Sequence, residues 1–269
     1  MNRFTNGWFT ENDDGWKGIS QSYEVDHIIA QEKSQFQDIL IFQAKRTGLT
    51  MAIDDIIQST QMDEFAYHEM MAHVALYSHP NPQNVLIIGG GDLGVVREIL
   101  KHKCVKTVDL CDVDEKVTEL SIKYFPHLVG NSLNDPRLHI YHKNGIEYVS
   151  QHPDSYDIVI TDSCDPTGPA TSLFNQNYYN DVAKCLRKDG IGVSQGENFW
   201  LNSKIVMDLR DICFNAGFKY VEFANICIPT YPTGSIGALL FSREYSSKEP
   251  RREMTPEEEE SMQYYSKEM

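Results

Sequence analysis

The 269-residue chain lacks the features that mark membrane, secreted and metal-binding proteins. It contains no run approaching about 18 apolar residues and no apolar N-terminal segment, so we expect neither membrane insertion nor a signal segment. Its six cysteines are scattered without a CxxC pair, which predicts no metal site and no disulfide framework. Reduced thiols fit a cytoplasmic protein best. Internal repeats and low-complexity segments are also absent from the sequence.

Positive charge is scarce as well. The 24 lysines and arginines stand against 39 aspartates and glutamates, which gives a formal net charge of -15. This balance disfavours nucleic acid and anionic membranes as partners and favours cationic ones, although solubility alone is the alternative explanation. The content of 41% hydrophobic and 23% charged residues is ordinary for a soluble enzyme.

The most informative segment is a glycine-rich turn at residues 89–92. Residues 85–88 (Val-Leu-Ile-Ile) predict a strand buried on both faces. Gly89-Gly-Gly91 allow a tight turn close to a ligand, and apolar residues at helical spacing from Val95 predict a helix just after Asp92. Such a strand, turn and helix form a cradle for a nucleotide-type ligand. Because the Asp92 carboxylate would repel a pyrophosphate, we expect a positively charged nucleoside such as a sulfonium, rather than NAD.

The sequence pattern divides the chain into two parts. Residues 1–62 contain short strand-like segments separated by turns, which predicts a small N-terminal β domain. Residues 63–269 alternate strand and helix signals, which predicts an α/β domain with a doubly wound, mostly parallel sheet. The expected strands lie near residues 85–88, 107–113, 138–142, 158–161, 190–194, 220–224 and 238–242, and the expected helices near 64–76, 94–102, 114–124, 145–151, 175–187 and 202–216. The charged tail, residues 245–269, is expected to be loosely attached.

Acidic side chains follow four of the first five predicted strands of the α/β domain. In open α/β sheets, ligands bind outside the carboxyl ends of the strands, so we expect the residues at these ends to line one site. In chain order the segments after the strands contain Asp92, Asp112 with Asp114, Lys143-Asn144-Gly145, Asp162 with Asp165, and Gln195-Gly-Glu197.

Two of these positions have competing interpretations. Asp112 lies where an acid binds ribose hydroxyls, but it could instead cap the next helix, for which Asp114 is better placed. Asn144 could accept a hydrogen bond from an adenine amino group, or it could be a turn residue before Gly145. The loop at residues 162–169 is the strongest local signal, because two prolines stiffen it directly after a buried strand and fix its two carboxylates.

Several motifs together resemble one family, the polyamine aminopropyltransferases, and most closely its eukaryotic spermidine synthases. The motifs follow the family order along nearly the whole chain. They are Gly7-Trp-Phe, Trp16-Lys-Gly, Asp63-Glu-Phe-Ala-Tyr67-His-Glu69, Gly89-Gly-Gly-Asp92, Asp162-Ser-Cys-Asp165-Pro-Thr-Gly-Pro169, Gln195-Gly-Glu197 and Ile228-Pro-Thr-Tyr231-Pro-Thr-Gly-Ser-Ile-Gly237. The resemblance implies a Rossmann-like, methyltransferase-type domain behind a small β domain, in a homodimer or homotetramer.

The resemblance also implies an activity. The family transfers an aminopropyl group from decarboxylated S-adenosylmethionine to putrescine, giving spermidine and methylthioadenosine. The decarboxylated S-adenosylmethionine is a co-substrate, and neither a further cofactor nor a metal is implied. Asp162 matches the general base that takes the proton of the attacking amine, and Tyr67 and Tyr231 match residues that orient this amine.

Binding residues follow from the same resemblance. The slot for putrescine, a dication, is lined by Trp16, Tyr67, Tyr231, Asp165 and Glu197, of which the two acids match the residues that hold the far amine. Asp92 matches the residue that binds the donor ammonium, and it would repel the carboxylate of ordinary S-adenosylmethionine. The donor-pocket matches are Gln37, Gln58, His68, Gly89, Gly91, Asp92, Asp112, Asn144 and Gly145. Among these, His68 could instead be an ordinary core or surface histidine.

Several positions depart from the usual family pattern, among them Ala238, where a larger residue is common. Leu93 stands where the family has a glycine, and a leucine does not readily adopt φ > 0 and would add bulk near the donor. Asp112 is one methylene shorter than the usual glutamate, while Asn144 replaces an aspartate but keeps an acceptor oxygen. These changes leave open a non-catalytic or donor-impaired paralogue. A spermine synthase and a putrescine N-methyltransferase are further alternatives, and Asp92 disfavours the latter.

Overall fold

A computed structural model describes residues 3–12, 14–164 and 168–268 of the chain. Within these residues, the N-terminal part is an antiparallel sheet of six strands that pair in chain order. The strands are β1 Phe4–Thr5, β2 Trp8–Glu11, β3 Gln21–Lys33, β4 Asp38–Ala44, β5 Gly48–Ile53 and β6 Ile56–Thr60. The predicted β domain is thereby confirmed, and residues 61–63 join it to the next helix.

The two faces of this first sheet pack differently, as the two-residue period of a strand requires. On one face Phe42 packs with Phe9 and Ile57 in a small core of the sheet's own. On the other face Ile39 and Ile41 pack against apolar side chains of helices in the second part of the chain. The sheet is therefore held against the α/β part by a shared apolar layer.

The second sheet has seven strands within the described residues, as predicted. They are β7 Asn84–Gly89, β8 Thr107–Asp112, β9 Leu138–His142, β10 Tyr156–Asp162, β11 Leu186–Gln195, β12 Tyr220–Cys227 and β13 Ser235–Ser242. Their order is β12-β13-β11-β10-β7-β8-β9, and β13 runs in the direction opposite to the other six. This mostly parallel sheet confirms the predicted fold class.

Helices cover both faces of the second sheet. They are α1 Glu64–Ser78, α2 Gly94–Leu100, α3 Glu115–Tyr124, α4 Pro126–Val129, α5 Gly145–Ser150, α6 Gln176–Cys185, α7 Phe199–Asn215 and α8 Pro256–Glu260. Helix α7 begins three residues before its predicted start, because the Asn198 side chain accepts hydrogen bonds from the backbone N–H groups of Trp200 and Leu201 and caps it there. In the part of the chain that the structure describes, no helix has the length and apolar character needed to span a membrane.

The strand order creates a crevice between β7 and β10. From β7 the chain moves outward to β8 and β9, and then crosses back to the other side of β7 to form β10. The loops that leave β7 and β10 therefore diverge, which is the usual origin of a ligand crevice in this class of sheet. Gly89 and Asp162 are paired residues at the carboxyl ends of these two strands, so the glycine turn and the acidic loop meet there.

The C-terminal segment is attached firmly, and the prediction of a loose tail was wrong. The buried carboxylate of Glu69 in α1 accepts hydrogen bonds of 2.8 Å from the backbone N–H groups of Gln263, Tyr264 and Tyr265. The Tyr265 ring stacks on Tyr77 with a centroid distance of 5.6 Å. The charged composition of the tail conceals this docking, because it depends on backbone groups and on a carboxylate nearly 200 positions earlier in the chain.

Candidate active site

The glycine turn brings two acidic segments together. Gly89 has φ +81°, and a Cβ at this position would lie 1.9 Å from the carbonyl oxygen of Asp162. The next residue, Gly90, donates a backbone hydrogen bond of 2.9 Å to that same oxygen. Only a residue without a side chain permits this approach. The turn therefore fixes the end of β10, and with it the position of the Asp162 carboxylate.

Asp162 is a buried acid with a tyrosine partner. The Tyr67 hydroxyl donates a hydrogen bond of 2.6 Å to Oδ1 of Asp162. Burial and the nearby Asp92 charge raise the pKa of Asp162 to about 6, even though the Tyr67 hydrogen bond and the His68 charge act to lower it. Burial and the Asp162 carboxylate in turn raise the pKa of Tyr67 well above its ordinary value. At neutral pH the pair is therefore a carboxylate and a neutral phenol.

A second tyrosine faces the same space. The Tyr231 ring lies 6.3 Å from the Tyr67 ring, between their centroids, at an angle of 61°. Its hydroxyl donates a hydrogen bond of 2.5 Å to the backbone carbonyl of Gln58 in the N-terminal sheet. The carbonyl of Tyr231 accepts a hydrogen bond of 3.1 Å from the Gln21 side chain. The N-terminal sheet therefore holds the loop that carries Tyr231.

Asp112 and Asp114 divide the two roles that the sequence left open. Asp114 is the residue that caps α3, through a hydrogen bond of 3.1 Å from the backbone N–H of Lys116, so the interpretation of Asp112 as this cap was wrong. Asp112 instead accepts hydrogen bonds from the backbone N–H groups of Gly91, at 2.9 Å, and Asp114, at 2.8 Å. Burial raises the pKa of Asp112. These contacts fix the carboxylate beside the glycine turn.

The side chains of Gln37 and Asn144 make hydrogen bonds within the protein itself. The Gln37 side-chain N–H donates a hydrogen bond of 2.9 Å to the Asp114 carboxylate. Asn144 caps α5, because its side-chain oxygen accepts from the backbone N–H groups of Ile146, at 2.9 Å, and Glu147, at 3.4 Å. Both residues line the cavity, so the predicted ligand contacts stay predictions beside these structural roles.

The opposite side of the site contains a glutamate and a tryptophan. Glu197 is buried and has φ +60°, in a segment directly after β11. The Trp16 indole is buried too, and its N–H makes no hydrogen bond within the described residues. Asp165, the other residue predicted to hold the far amine, lies outside the described residues. Glu11, for which the sequence indicated no role, is a buried acid that also lines the cavity, and its side chain accepts a hydrogen bond of 3.0 Å from the backbone N–H of Ile57.

Leu93 does not intrude on the site, so the expected bulk near the donor was wrong. The residue adopts the left-handed conformation, with φ +71°, directly before α2. Its side chain is fully buried in the core that includes Met71, Val85 and Val96. The left-handed backbone directs the leucine into this core, and the residue does not line the cavity.

A cavity of about 270 Å³ unites the predicted site residues. Its described wall includes every one of them except Asp165: Trp16, Gln37, Gln58, Tyr67, His68, Gly89, Gly91, Asp92, Asp112, Asn144, Gly145, Asp162, Glu197 and Tyr231. Its wall combines acids with apolar side chains such as Ile53, Ile57 and Ile236. Among the described residues, no group of three or more histidines, cysteines or acids is arranged to hold a metal ion. The arrangement suits a polycationic ligand with a hydrocarbon spacer.

Comparison with known proteins identifies the family. Residues 64–250 match the model of the spermine/spermidine synthase domain, and residues 7–61 match that of the spermidine synthase tetramerisation domain. The spermidine synthase of Dictyostelium discoideum is 43% identical over 100% of this chain and 94% of its own length. The chain belongs to the spermine/spermidine synthase family, as its motifs predicted.

Two further relatives bear on the fold and the acceptor. The spermine synthase of Saccharomyces cerevisiae is 38% identical over 96% of this chain and 89% of its own length. The crystal structure of a spermidine synthase in complex with the transition-state analogue AdoDATO is 32% identical, superposes with a TM-score of 0.90, and covers 98% of this chain and 90% of that one. The Rossmann-like, methyltransferase-type fold is thereby confirmed.

Proposed function

We propose that the protein transfers the aminopropyl group of decarboxylated S-adenosylmethionine to putrescine, giving spermidine and methylthioadenosine. One observation carries this proposal: Asp162, hydrogen-bonded to Tyr67 at 2.6 Å, lies in the same cavity as Asp92. One acid is thus available to an attacking amine and the other to a cationic donor. The relatives named as spermidine synthases support the same activity.

The reaction is a displacement at the carbon next to the sulfonium. The amine nitrogen forms a bond to that carbon, the carbon–sulfur bond breaks, and its electron pair stays on the sulfur of methylthioadenosine. Primary amines have a pKa of about 10.4, so the nucleophile arrives mostly protonated. A protonated amine has no lone pair with which to attack, so the Asp162 carboxylate first takes one of its protons. The neutral amine then attacks, and the product nitrogen leaves as a secondary ammonium. Tyr67 holds that carboxylate in place.

Charge selects the donor. The decarboxylated donor carries a sulfonium and an ammonium, and Asp92 would pair with the ammonium. Ordinary S-adenosylmethionine would place its carboxylate beside Asp92 and Asp162, and like charges in a buried cavity repel strongly. This repulsion disfavours the putrescine N-methyltransferase alternative. The core position of Leu93, whose expected bulk in the donor pocket was one reason for a non-catalytic paralogue, disfavours that alternative as well.

The acceptor is the finer part of the proposal. Glu197, Trp16 and Asp165 would hold the far amine of putrescine. Spermine synthesis from spermidine is the second candidate, because the Saccharomyces cerevisiae spermine synthase is as much as 38% identical to this chain. Putrescine is preferred here because the relative with 43% identity is named a spermidine synthase.

Assembly and location complete the proposal. The match of residues 7–61 to a tetramerisation domain supports a homo-oligomer, and we propose a homodimer or homotetramer. The six cysteines form no disulfide among the described residues, which supports a cytoplasmic protein. No cofactor is proposed beyond the co-substrate itself.

One incubation series tests the activity. The purified protein is mixed with putrescine or spermidine and with decarboxylated or ordinary S-adenosylmethionine, and the products are read by mass spectrometry. Spermidine and methylthioadenosine formed from putrescine and the decarboxylated donor are the expected result. Spermine formed faster from spermidine would favour the second candidate. Methylated putrescine, or no product from either donor, would overturn the proposal.

A further inference from the structure

Four side chains of alternating charge extend from the cavity wall into the protein interior: Asp92, His68, Glu64 and Arg97. Nε2 of His68 lies 3.2 Å from Oδ2 of Asp92, and Nδ1 of His68 lies 2.6 Å from Oε2 of Glu64. The two carboxylate oxygens of Glu64 each accept a hydrogen bond of 2.9 Å from the Arg97 guanidinium. His68 and Asp92 line the cavity, whereas Glu64 and Arg97 lie behind them. The sequence indicates a role for His68 and Asp92 but none for Glu64 and Arg97.

The geometry requires His68 to carry a charge. Each of its ring nitrogens faces a carboxylate, and an ionised carboxylate only accepts hydrogen bonds, so both nitrogens must carry a proton. Burial alone would lower the pKa of His68, but the charges and hydrogen bonds of Asp92 and Glu64 raise it to about 10. Burial would raise the pKa of Glu64, but His68 and Arg97 lower it to about 2. His68 is therefore an imidazolium throughout the neutral range.

The local sequence explains how the ring reaches this place. Glu64 and His68 are four residues apart in α1, so they lie on one helix face. The ring then packs against the start of α2, where a Cβ on Gly94 would lie 2.4 Å from its Cε1 atom. Gly94 also donates a backbone hydrogen bond of 2.9 Å to Oδ1 of Asp92. Both oxygens of Asp92 are thus held, one by His68 and one by the backbone.

We propose that Glu64 and Arg97 are positioning residues of the donor site: they hold the His68 imidazolium, which orients Asp92 toward the donor ammonium and limits the repulsion between Asp92 and Asp162. This inference rests on the proposed function. Two buried acids that share a small cavity tend to retain one proton between them. A fixed cation beside Asp92 keeps both acids ionised before the donor arrives.

Other charged and titratable groups around His68 do not replace this cation. The groups that face it are Glu64 and Tyr67 from α1, Asp92 from the glycine turn, Arg97 from α2, His127 from α4 and Asp162 from β10. Burial lowers the pKa of His127, so that imidazole is neutral at neutral pH. Arg97 is already paired with Glu64 and, at 2.7 Å, with Glu98. His68 is thus the cation in direct contact with Asp92.

Glu64→Gln is the first test. The amide keeps the volume of the carboxylate but removes its charge, so His68 loses one of the two carboxylates that keep it protonated. The KM for the donor should rise about tenfold, as for the loss of a charge-assisted contact, whereas the KM for putrescine should stay near its wild-type value. The acidic limb of the pH profile should move to higher pH, because the His68 charge lowers the pKa of Asp162.

Asp109→Asn is the matched control. Asp109 is also a buried acid beside a histidine, since its Oδ1 lies 3.0 Å from Nδ1 of His139. Neither of these residues lines the cavity. The control should lower the melting temperature yet leave the donor KM and the acidic limb near their wild-type values. Equal effects of Glu64→Gln and Asp109→Asn on the pH profile would overturn the proposal.

A double variant distinguishes the effect of the His68 charge from general destabilisation of the protein. In a His68→Gln background no imidazolium remains for Glu64 to hold, so adding Glu64→Gln should shift the acidic limb no further. Additive shifts would mean that Glu64 acts on the site by another route, and the proposal would fail.

A spectroscopic measurement keeps the inference testable without turnover. Nitrogen-15 NMR of the wild-type histidines, with His68 assigned by comparison with His68→Gln, should find both ring nitrogens of His68 protonated at pH 8. A neutral His68 at that pH would overturn the inference even in an active enzyme. Conversely, a charged His68 in a protein that forms no spermidine would overturn the proposed function but not the pairing of His68 with Asp92 and Glu64.

Discussion

The hydroxyl of Tyr67 in α1 donates a hydrogen bond of 2.6 Å to Asp162 at the carboxyl end of β10. These residues are 95 positions apart, and the crevice at the change of strand order brings them together. The bond fixes one oxygen of the carboxylate and leaves the other available to an amine.

Replacing the base itself should abolish turnover. Asp162→Asn removes the group that receives the proton, and we expect a loss of about 10²- to 10⁴-fold in kcat, typical of a missing general base. Donor affinity, measured by calorimetry, should change little, because Asp92 and Asp112 remain. Near-normal turnover of this variant would show that another group takes the proton.

Activity should depend on the ionisation of Asp162. The carboxylate form is the one that accepts a proton, and its pKa is raised to about 6 by burial and by Asp92. At saturating donor, kcat/KM for putrescine should therefore be lost as pH falls through about 6. A profile that stays flat well below that pH would contradict the raised pKa.

Tyr67→Phe should lower activity and shift this profile. The Tyr67 hydrogen bond lowers the pKa of Asp162, so its removal should move the acidic limb to higher pH. The rate should fall by about 10- to 100-fold, the value of a hydrogen bond to a charged group. Tyr178→Phe is a matched control, because it removes a buried hydroxyl that lies 2.7 Å from the hydroxyl of Thr161, the residue directly before Asp162. That control should affect stability but leave the acidic limb in place.

Two substitutions of Leu93 should destabilise the protein in an unusual order, with glycine less destabilising than alanine. Leu93→Ala should destabilise the protein by about 2–5 kcal/mol, because it leaves a cavity in the core. Leu93→Gly leaves a similar cavity but relieves the left-handed backbone, and should therefore be about 1 kcal/mol less destabilising than alanine. Chemical denaturation measures both values. A glycine variant less stable than the alanine variant, or a raised donor KM in either, would contradict this account.

The docking of the tail on Glu69 is also testable. Glu69→Gln keeps the side-chain shape but directs an amide N–H at backbone N–H donors, so we expect a loss of about 2 kcal/mol in the free energy of unfolding. Hydrogen exchange at Gln263, Tyr264 and Tyr265 should speed up in parallel. Glu257→Gln, in the same tail but on an exposed ion pair with Lys103, should leave both measurements unchanged. Unchanged exchange in Glu69→Gln would mean that other contacts hold the tail.

The sequence predicted what depends on local patterns. The strand before Gly89 and the helix after Asp92 follow from apolar periodicity and glycine, and the strand order then placed the acids at one edge of the sheet. Glu64, Arg97 and Glu69 were not assigned roles, because the Glu64–Arg97 pair spans 33 positions and the contact of Glu69 with Gln263 spans 194. Only the spacing of four residues between Glu64 and His68 was visible in the sequence. Leu93 was misjudged because a left-handed residue can direct its side chain into the core, and the family pattern of glycine there does not reveal this.

The loop that carries Tyr231 has one further consequence. It joins β12 to β13, and its contacts with Gln21 and Gln58 tie it to the N-terminal sheet, which also contributes Gln37 to the cavity wall. A fragment that begins at α1 would therefore possess the base but only part of the binding surface. Donor or acceptor binding should stabilise both parts of the chain at once, so that heating the liganded protein produces one shared unfolding transition.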